Sequence, residues 1–153
     1  MFKVSIFLCC LCFCAFTPYL VFGMTADQKA QIHAHFEEVA KKCIMDNVIS
    51  SEDIVNLRAR KMPTGSKAPC FLACMMKQIG VMDDSGTLQK ETALELAKSI
   101  FNDPDEIKII EDYLHSCAHV NAETVSDGEK GCNRAILAYK CMTENASQFG
   151  FDV

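Results

Sequence analysis

Residues 70–77 read CFLACMMK, two cysteines four residues apart in an otherwise apolar run. On a helix, Cys70 and Cys74 stand one turn apart on the same face. Such a pair serves as half of a zinc site, as a redox couple or as the anchor of two disulfides, and each choice implies a different function. The redox compartment separates them, and the amino terminus speaks to compartment.

The chain opens MFKVSIFLCCLCFCAFTPYLVFG, with Lys3 its only charge and a 13-residue stretch, Val4 to Phe16, that is apolar except for Ser5. A charged start, a short apolar core and the small residues Val21 and Gly23 have the form of a secretory signal peptide cleaved after Gly23. The competing reading is an uncleaved anchor over Val4 to Gly23, against which Pro18 and the polar break at Thr17 to Tyr19 argue. The expected organisation is therefore a signal peptide, 1–23, and one domain, 24–153.

Cleavage leaves 130 of the 153 residues and moves the formal net charge from −5 to −6, because Lys3 is lost. An acidic chain without a basic cluster is a poor match for nucleic acid or an anionic membrane. Cys9, Cys10, Cys12 and Cys14 leave with the signal peptide, and Cys43, Cys70, Cys74, Cys117, Cys132 and Cys141 remain. An even number in an oxidising compartment predicts three disulfides, with fifteen pairings open on paper.

Outward from the CFLACMMK helix, the pattern reads as helix after helix. Thr25 to Gln28 has the form of a capping box, followed by Ile32, Phe36, Val39 and Cys43 at helical spacing. Ser50 or Ser51 caps a short helix through Asp53 to Arg60, ahead of Pro63 and Gly65. Pro69 suits the first turn of the Cys70–Cys74 helix, which ends at Gly80. Asp83 to Gly86 form a turn, and a helix carrying Leu94, Leu96 and Ile100 follows. Asp103-Pro104 starts another, with Ile107, Ile110 and Leu114 on one face. Residues 121–128 are loop-like, and a last helix runs from about Glu129 to Thr143. The predicted class is all-α, a compact bundle of about six helices.

Helix geometry limits the pairings without choosing one. Cys132 and Cys141, nine residues apart, lie on opposite sides of their helix and roughly 13 Å apart along it, beyond disulfide reach. The last helix is thus joined on two sides to different partners, an interlocked arrangement rather than a set of local loops.

Written with its gaps, the pattern is Cys43-x26-Cys70-x3-Cys74-x42-Cys117-x14-Cys132-x8-Cys141. It resembles the six-cysteine signature of insect odorant-binding proteins of the pheromone-binding and general odorant-binding type, in order, in the x3 and x8 gaps and over the whole expected mature chain. The resemblance implies helices around a hydrophobic cavity and the pairs Cys43–Cys74, Cys70–Cys132 and Cys117–Cys141. It implies a secreted, non-enzymatic carrier, in sensillar lymph if olfactory, that solubilises odorants or pheromone-like volatiles. Its other expected partners are an olfactory receptor or receptor-proximal membrane. It implies no cofactor, and the expected state is a monomer or weak homodimer.

By pattern alone Phe36, Leu72, Met76, Leu114 and Met142 are ordinary core residues. The resemblance makes them cavity-lining, from their positions relative to the cysteines. Leu88, Leu96, Ile110 and Ile136 join them by helical phase. Tyr139 is the first candidate for a polar group that orients a ligand, and Tyr113 the second. Met75, Met76 and Met142 supply flexible thioethers suited to varied ligand shapes. The tail, by comparison with related carriers, covers the cavity through Phe149 and Phe151, with the Val153 carboxylate hydrogen-bonded at neutral pH and released on acidification. Asn145-Ala-Ser147 is an N-glycosylation acceptor sequence.

Competing chemistry finds less support. No Cys or His pair stands at finger-like distance from Cys70 and Cys74, and the spacing is not that of a CxxC redox site. His115, Cys117 and His119 look like a metal cluster, but on a helix Cys117 points away from the two histidines. His33 and His35 diverge on theirs. No phospholipase-type helix, G-x-S-x-G or EF-hand loop is present. A saposin-like protein also combines six cysteines with helices, but with different spacing. A carrier of lipids or hormones in another body fluid has the same chemistry as an odorant carrier and stays open beside it.

Overall fold

The computed structural model describes residues 23–151. Most of the expected signal peptide and Val153, with its expected hydrogen bond, lie outside them. Among the described residues six α-helices follow one another: α1 (Ala26–Asp46), α2 (Ser51–Arg58), α3 (Ala68–Gln78), α4 (Glu91–Ile100), α5 (Pro104–Ser116) and α6 (Cys132–Asn145). Short 3₁₀ turns cover Ala118–Ala122, Gly128–Lys130 and Ala146–Phe149. The sole β-type pairing among these residues is an isolated bridge between Met82 and Leu88. No helix among them is long and apolar enough to cross a membrane.

Local chemistry sets the helix starts. The Thr25 hydroxyl accepts from the Gln28 N–H at 3.2 Å, and the Gln28 side chain accepts from the Thr25 N–H at 2.8 Å, so the capping box closes both ways. Ser50 Oγ accepts from the Asp53 N–H at 3.0 Å, which makes Ser50 the cap of α2. Asp103 accepts from the Asp105 N–H at 2.8 Å ahead of Pro104. The last helix begins at Cys132, three residues later than the pattern suggests. Gly131, at φ +72°, interrupts it in the left-handed region after a 3₁₀ turn. A side chain there would strike Met82 Sδ, so the interruption also lets the Met82 loop close onto α6.

The most extensive helix packing is between α3 and α6. Their buried faces, Leu72, Ala73 and Met76 on α3 and Ala135 and Ala138 on α6, form the main core with Val81, Met82 and Val120. A second cluster joins Val39 and Cys43 of α1 to Phe71 of α3, and a third joins Ala97, Phe101 and Ile110. Three disulfides tie these parts together: Cys43–Cys74 (α1 to α3), Cys70–Cys132 (α3 to α6) and Cys117–Cys141 (the end of α5 to α6). Both cysteines of CFLACMMK are therefore structural, one reaching back and one forward, and α6 is held on two sides. Each bond contributes roughly 2–4 kcal/mol.

A clasp absent from the sequence reading fixes the segment between α2 and α3. Asp53 is 1% exposed. Its carboxylate accepts from the Thr64 N–H at 2.9 Å and from the Gly65 N–H at 3.2 Å. Gly65 sits so close that a Cβ there would lie 2.1 Å from Asp53 Oδ2.

Candidate functional site

At the edge of the main core lies a cavity of ≈ 240 Å³. Its apolar wall is Val81 and Leu88 from the loop after α3, Leu114 from α5 and Met142 from α6. Cys117 and Ala118 close the end where α5 meets its disulfide to α6. Gln89, Lys90, Glu91 and His115 form the polar side.

The loop from Val81 to Lys90 is folded over this space by its own hydrogen bonds. The N–H groups of Val81 and Met82 donate to the Met76 carbonyl, at 2.9 and 3.1 Å, which turns the chain sharply out of α3. Asp83 Oδ1 then accepts from Ser85 and Thr87, at 3.0 Å from each backbone N–H, and closes the expected Asp83–Gly86 turn. These bonds hold the Asp83 carboxyl below the usual carboxylate range, the Ser85 hydroxyl being the largest cause. Asn121 takes hold of the returning strand: its Oδ1 accepts from the Leu88 N–H and its Nδ2 donates to the Leu88 carbonyl. Leu88 is thus set against Leu114 and Met142 by a side chain more than thirty residues away.

One ion pair spans the mouth. Lys90 Nζ lies 2.7 Å from Glu111 Oε1 and joins the start of α4 to α5. That hydrogen bond and charge keep the Glu111 carboxyl below its usual range. Gln89 donates to the Gly80 carbonyl and accepts from the Thr92 N–H, and Glu91 accepts from the Lys90 N–H. The His115 ring is exposed on the α5 side of the mouth.

Of the positions expected to line a cavity, Leu88, Leu114 and Met142 do so here. Leu72 and Met76 are buried in the main core, and Ile110 in the third cluster. Leu96 is half-buried one step off the packed face of α4, which Leu94 and Ala97 supply. Ile136 borders a shallow outer groove with Val125 and Leu137. Phe36 is 42% exposed, because its neighbours at helical spacing, Ile32 and Val39, pack on separate clusters and leave it between them.

Neither tyrosine hydroxyl is directed at the cavity. Tyr139 donates to the Lys61 carbonyl at 3.2 Å and Tyr113 to the Met142 carbonyl at 2.9 Å. Burial pushes the Tyr113 hydroxyl up to about 12 and raises that of Tyr139 as well, with the Arg60 charge opposing both shifts. The tail folds back on Tyr113. Gly150, at φ +76°, lets the Phe151 N–H return to the Ala146 carbonyl at 2.9 Å, a Schellman-type stop. The rings of Phe149 and Phe151 stand 5.6 and 4.7 Å from that of Tyr113. Phe151 also packs against the third cluster. The tail therefore buttresses the α5–α6 wall from outside the cavity. Asn145 Nδ2 points inward, 3.3 Å from Ser116 Oγ and 3.5 Å from Cys141 Sγ.

Sequence reasoning missed Val81, Gln89, Lys90, Glu91 and Ala118, which lie outside the helical runs it used, and gave His115 and Cys117 other roles. The returning loop carries no periodicity. The closest available signal was the Asp83–Gly86 turn, which implies that the chain doubles back on what precedes it.

Among the described residues, six helices, three interlocked disulfides and a small apolar cavity with a polar mouth define a helical small-ligand-binding domain. The chain belongs to the PBP/GOBP family, whose pattern matches residues 25–145. General odorant-binding protein 19d of Drosophila melanogaster is 28% identical over 120 residues, 78% of this chain and 77% of that protein. General odorant-binding protein 28a of the same species is 31% identical over 126 residues, 81% and 83% of the two chains. The solved structure of the odorant-binding protein dmelOBP28a from Drosophila melanogaster superposes with a TM-score of 0.61 at 29% identity, covering 79% of this chain and 97% of that one. Odorant binding protein 5 of Apis mellifera shares the fold at 18% identity, with a TM-score of 0.59 over 85% of this chain and 96% of its own. Family membership supports a small-ligand carrier role.

Proposed function

We propose that this protein is a secreted, non-enzymatic carrier that takes small hydrophobic molecules, odorants or pheromone-like volatiles, out of water and delivers them toward membrane receptors. The observation that carries the reading is the ≈ 240 Å³ cavity walled by Val81, Leu88, Leu114 and Met142 in a chain of the PBP/GOBP family. Binding is driven by removal of apolar ligand surface from water, at about 25 cal/mol per Å². A micromolar Kd, roughly −8 kcal/mol, suits pickup followed by release. The three disulfides keep α3, α5 and α6 in place around a space that collapse would otherwise fill. Residues 1–23 act as the signal peptide in this reading. Phe149 and Phe151 act as a brace on the α5–α6 wall through Tyr113.

The test is a calorimetric titration of the oxidised protein with short-chain alcohols, aldehydes, esters and fatty acids. Saturable one-to-one binding by at least one class is the expected result. No binding by any of them overturns the reading, as does turnover of an ester.

A further inference from the structure

The polar side of the cavity is unequal in what it offers a ligand. Gln89 spends its amide on Gly80 and Thr92. Lys90 spends its ammonium on Glu111, and Glu91 accepts from the Lys90 backbone. His115, on the same rim, is exposed, and among the described residues its ring has no hydrogen-bond partner. We propose that His115 is the specificity-determining polar contact, and that the favoured ligand is a small neutral molecule with one hydrogen-bonding group, such as a short alcohol, ketone or ester. This rests on the carrier reading and deepens it.

Size follows from the cavity. A volume of ≈ 240 Å³ falls under the roughly 300 Å³ at which drug-sized pockets begin. At about 30 Å³ for each water-sized group, it holds about eight non-hydrogen atoms. Charge follows from the rim. Glu91 and Glu111 set two carboxylates against the one ammonium of Lys90, and the neighbouring Lys108 and Asp112 pair with each other. A carboxylate head meets net negative charge there, and a charged head of either sign loses hydration on entering an apolar-walled cavity. A neutral imidazole carries one donor and one acceptor nitrogen, so it pairs equally with a hydroxyl or a carbonyl.

The experiment titrates the oxidised protein at pH 7.5 with n-hexane, 1-hexanol, 2-hexanone, hexanoate and hexylamine, alongside the H115F and H115Q variants. The expected result is that hexanol and hexanone bind at least about five-fold more tightly than hexanoate and hexylamine, five-fold being the usual net worth of one neutral hydrogen bond. H115F lowers hexanol affinity about five-fold more than hexane affinity, and H115Q, which keeps a donor and an acceptor, restores most of the difference. Tightest binding of hexanoate or hexylamine overturns the inference, and so does an equal loss of hexane and hexanol in H115F. Hexane binding without polar discrimination overturns it and leaves the carrier reading standing. Absence of binding by every compound, hexane included, overturns both.

Discussion

The side-chain amide of Asn121 and the backbone of Leu88 form a two-bond ring, with Leu88 N–H to Oδ1 at 2.8 Å and Nδ2 to the Leu88 carbonyl at 2.9 Å. The amide imitates a paired strand, and its strand-like partner is the loop that walls the cavity. Asn121→Ala removes both bonds and leaves two half-buried backbone groups to find water. We expect a loss of about 1–3 kcal/mol, seen as a lower urea midpoint at an unchanged slope. Weaker binding of small apolar ligands accompanies it, because Leu88 is no longer fixed opposite Leu114 and Met142.

Asp53 and Gly65 form a second long-range clasp and offer a cleaner test of coupling. Asp53→Ala strands the Thr64 and Gly65 N–H groups, at a cost of about 2–4 kcal/mol. Gly65→Ala forces a methyl into the space that Asp53 Oδ2 occupies and breaks the same contacts. The double variant should therefore be less destabilised than the sum of the two by about 1 kcal/mol or more in denaturant titrations. Additive losses would mean that the two residues act independently.

Tyr113 sets an alkaline limit. Its hydroxyl is pushed up to about 12 by burial, while in the unfolded chain it titrates near its ordinary value of about 10. Between those two pH values the unfolded state releases a proton that the folded state keeps, so stability falls as pH rises through this window. Below pH 10 the group has no effect on the pH profile. Ultraviolet titration of tyrosinate should show Tyr139 and Tyr113 ionising late, and Tyr113→Phe should remove the step near 12. A Tyr113 step at its ordinary position would contradict the packing of Phe149 and Phe151 over its ring.

The parts of the fold that could be read from sequence are those encoded locally. Thr25, Ser50 and Asp103 each cap the helix that follows because a cap needs only the next three residues. Cys70 and Cys74 project from one face of one turn, so their roles as separate anchors follow from helical spacing once the chain is taken as oxidised. The cavity was less legible, because three of its four apolar walls are recognisable types but their convergence depends on contacts distant in sequence. Asn121 has no pattern that announces Leu88 as its partner, and Asp53 none that announces Gly65. Leu72 and Met76 show the reverse problem. Their periodicity marks an inward face, and periodicity cannot distinguish a face that meets another helix from one that meets empty space.

Asn145 sits in an acceptor sequence whose amide nitrogen is turned toward Ser116 and the Cys117–Cys141 bond. A glycan on that nitrogen would have to occupy the space between α5 and α6. Protein secreted from insect cells and isolated in its oxidised form should have the mass of the unglycosylated chain. Ser147→Ala, which destroys the acceptor sequence, should change that mass only by the substitution itself. A glycan found on the oxidised protein would show that Asn145 does not hold this position.

The tail is connected to the cavity wall by a short chain of contacts that deletion can break. Phe149 and Phe151 pack on the Tyr113 ring, the Tyr113 hydroxyl holds the Met142 carbonyl, and Met142 lines the cavity. Deleting residues 149–153 removes two aromatic contacts and exposes part of the third cluster, and we expect a loss of about 2–4 kcal/mol. With its cover gone, Tyr113 should titrate closer to its ordinary value, which the same ultraviolet measurement reads. Ligand affinity should fall as well, because the Met142 wall loses its outer support. Tyr113→Phe separates the two effects: it keeps the ring that Phe149 and Phe151 cover and removes only the bond to Met142, at about 1 kcal/mol. If the deletion weakens binding and Tyr113→Phe does so in part, the tail works through Met142. Affinity unchanged by the deletion would leave the tail a role in stability alone.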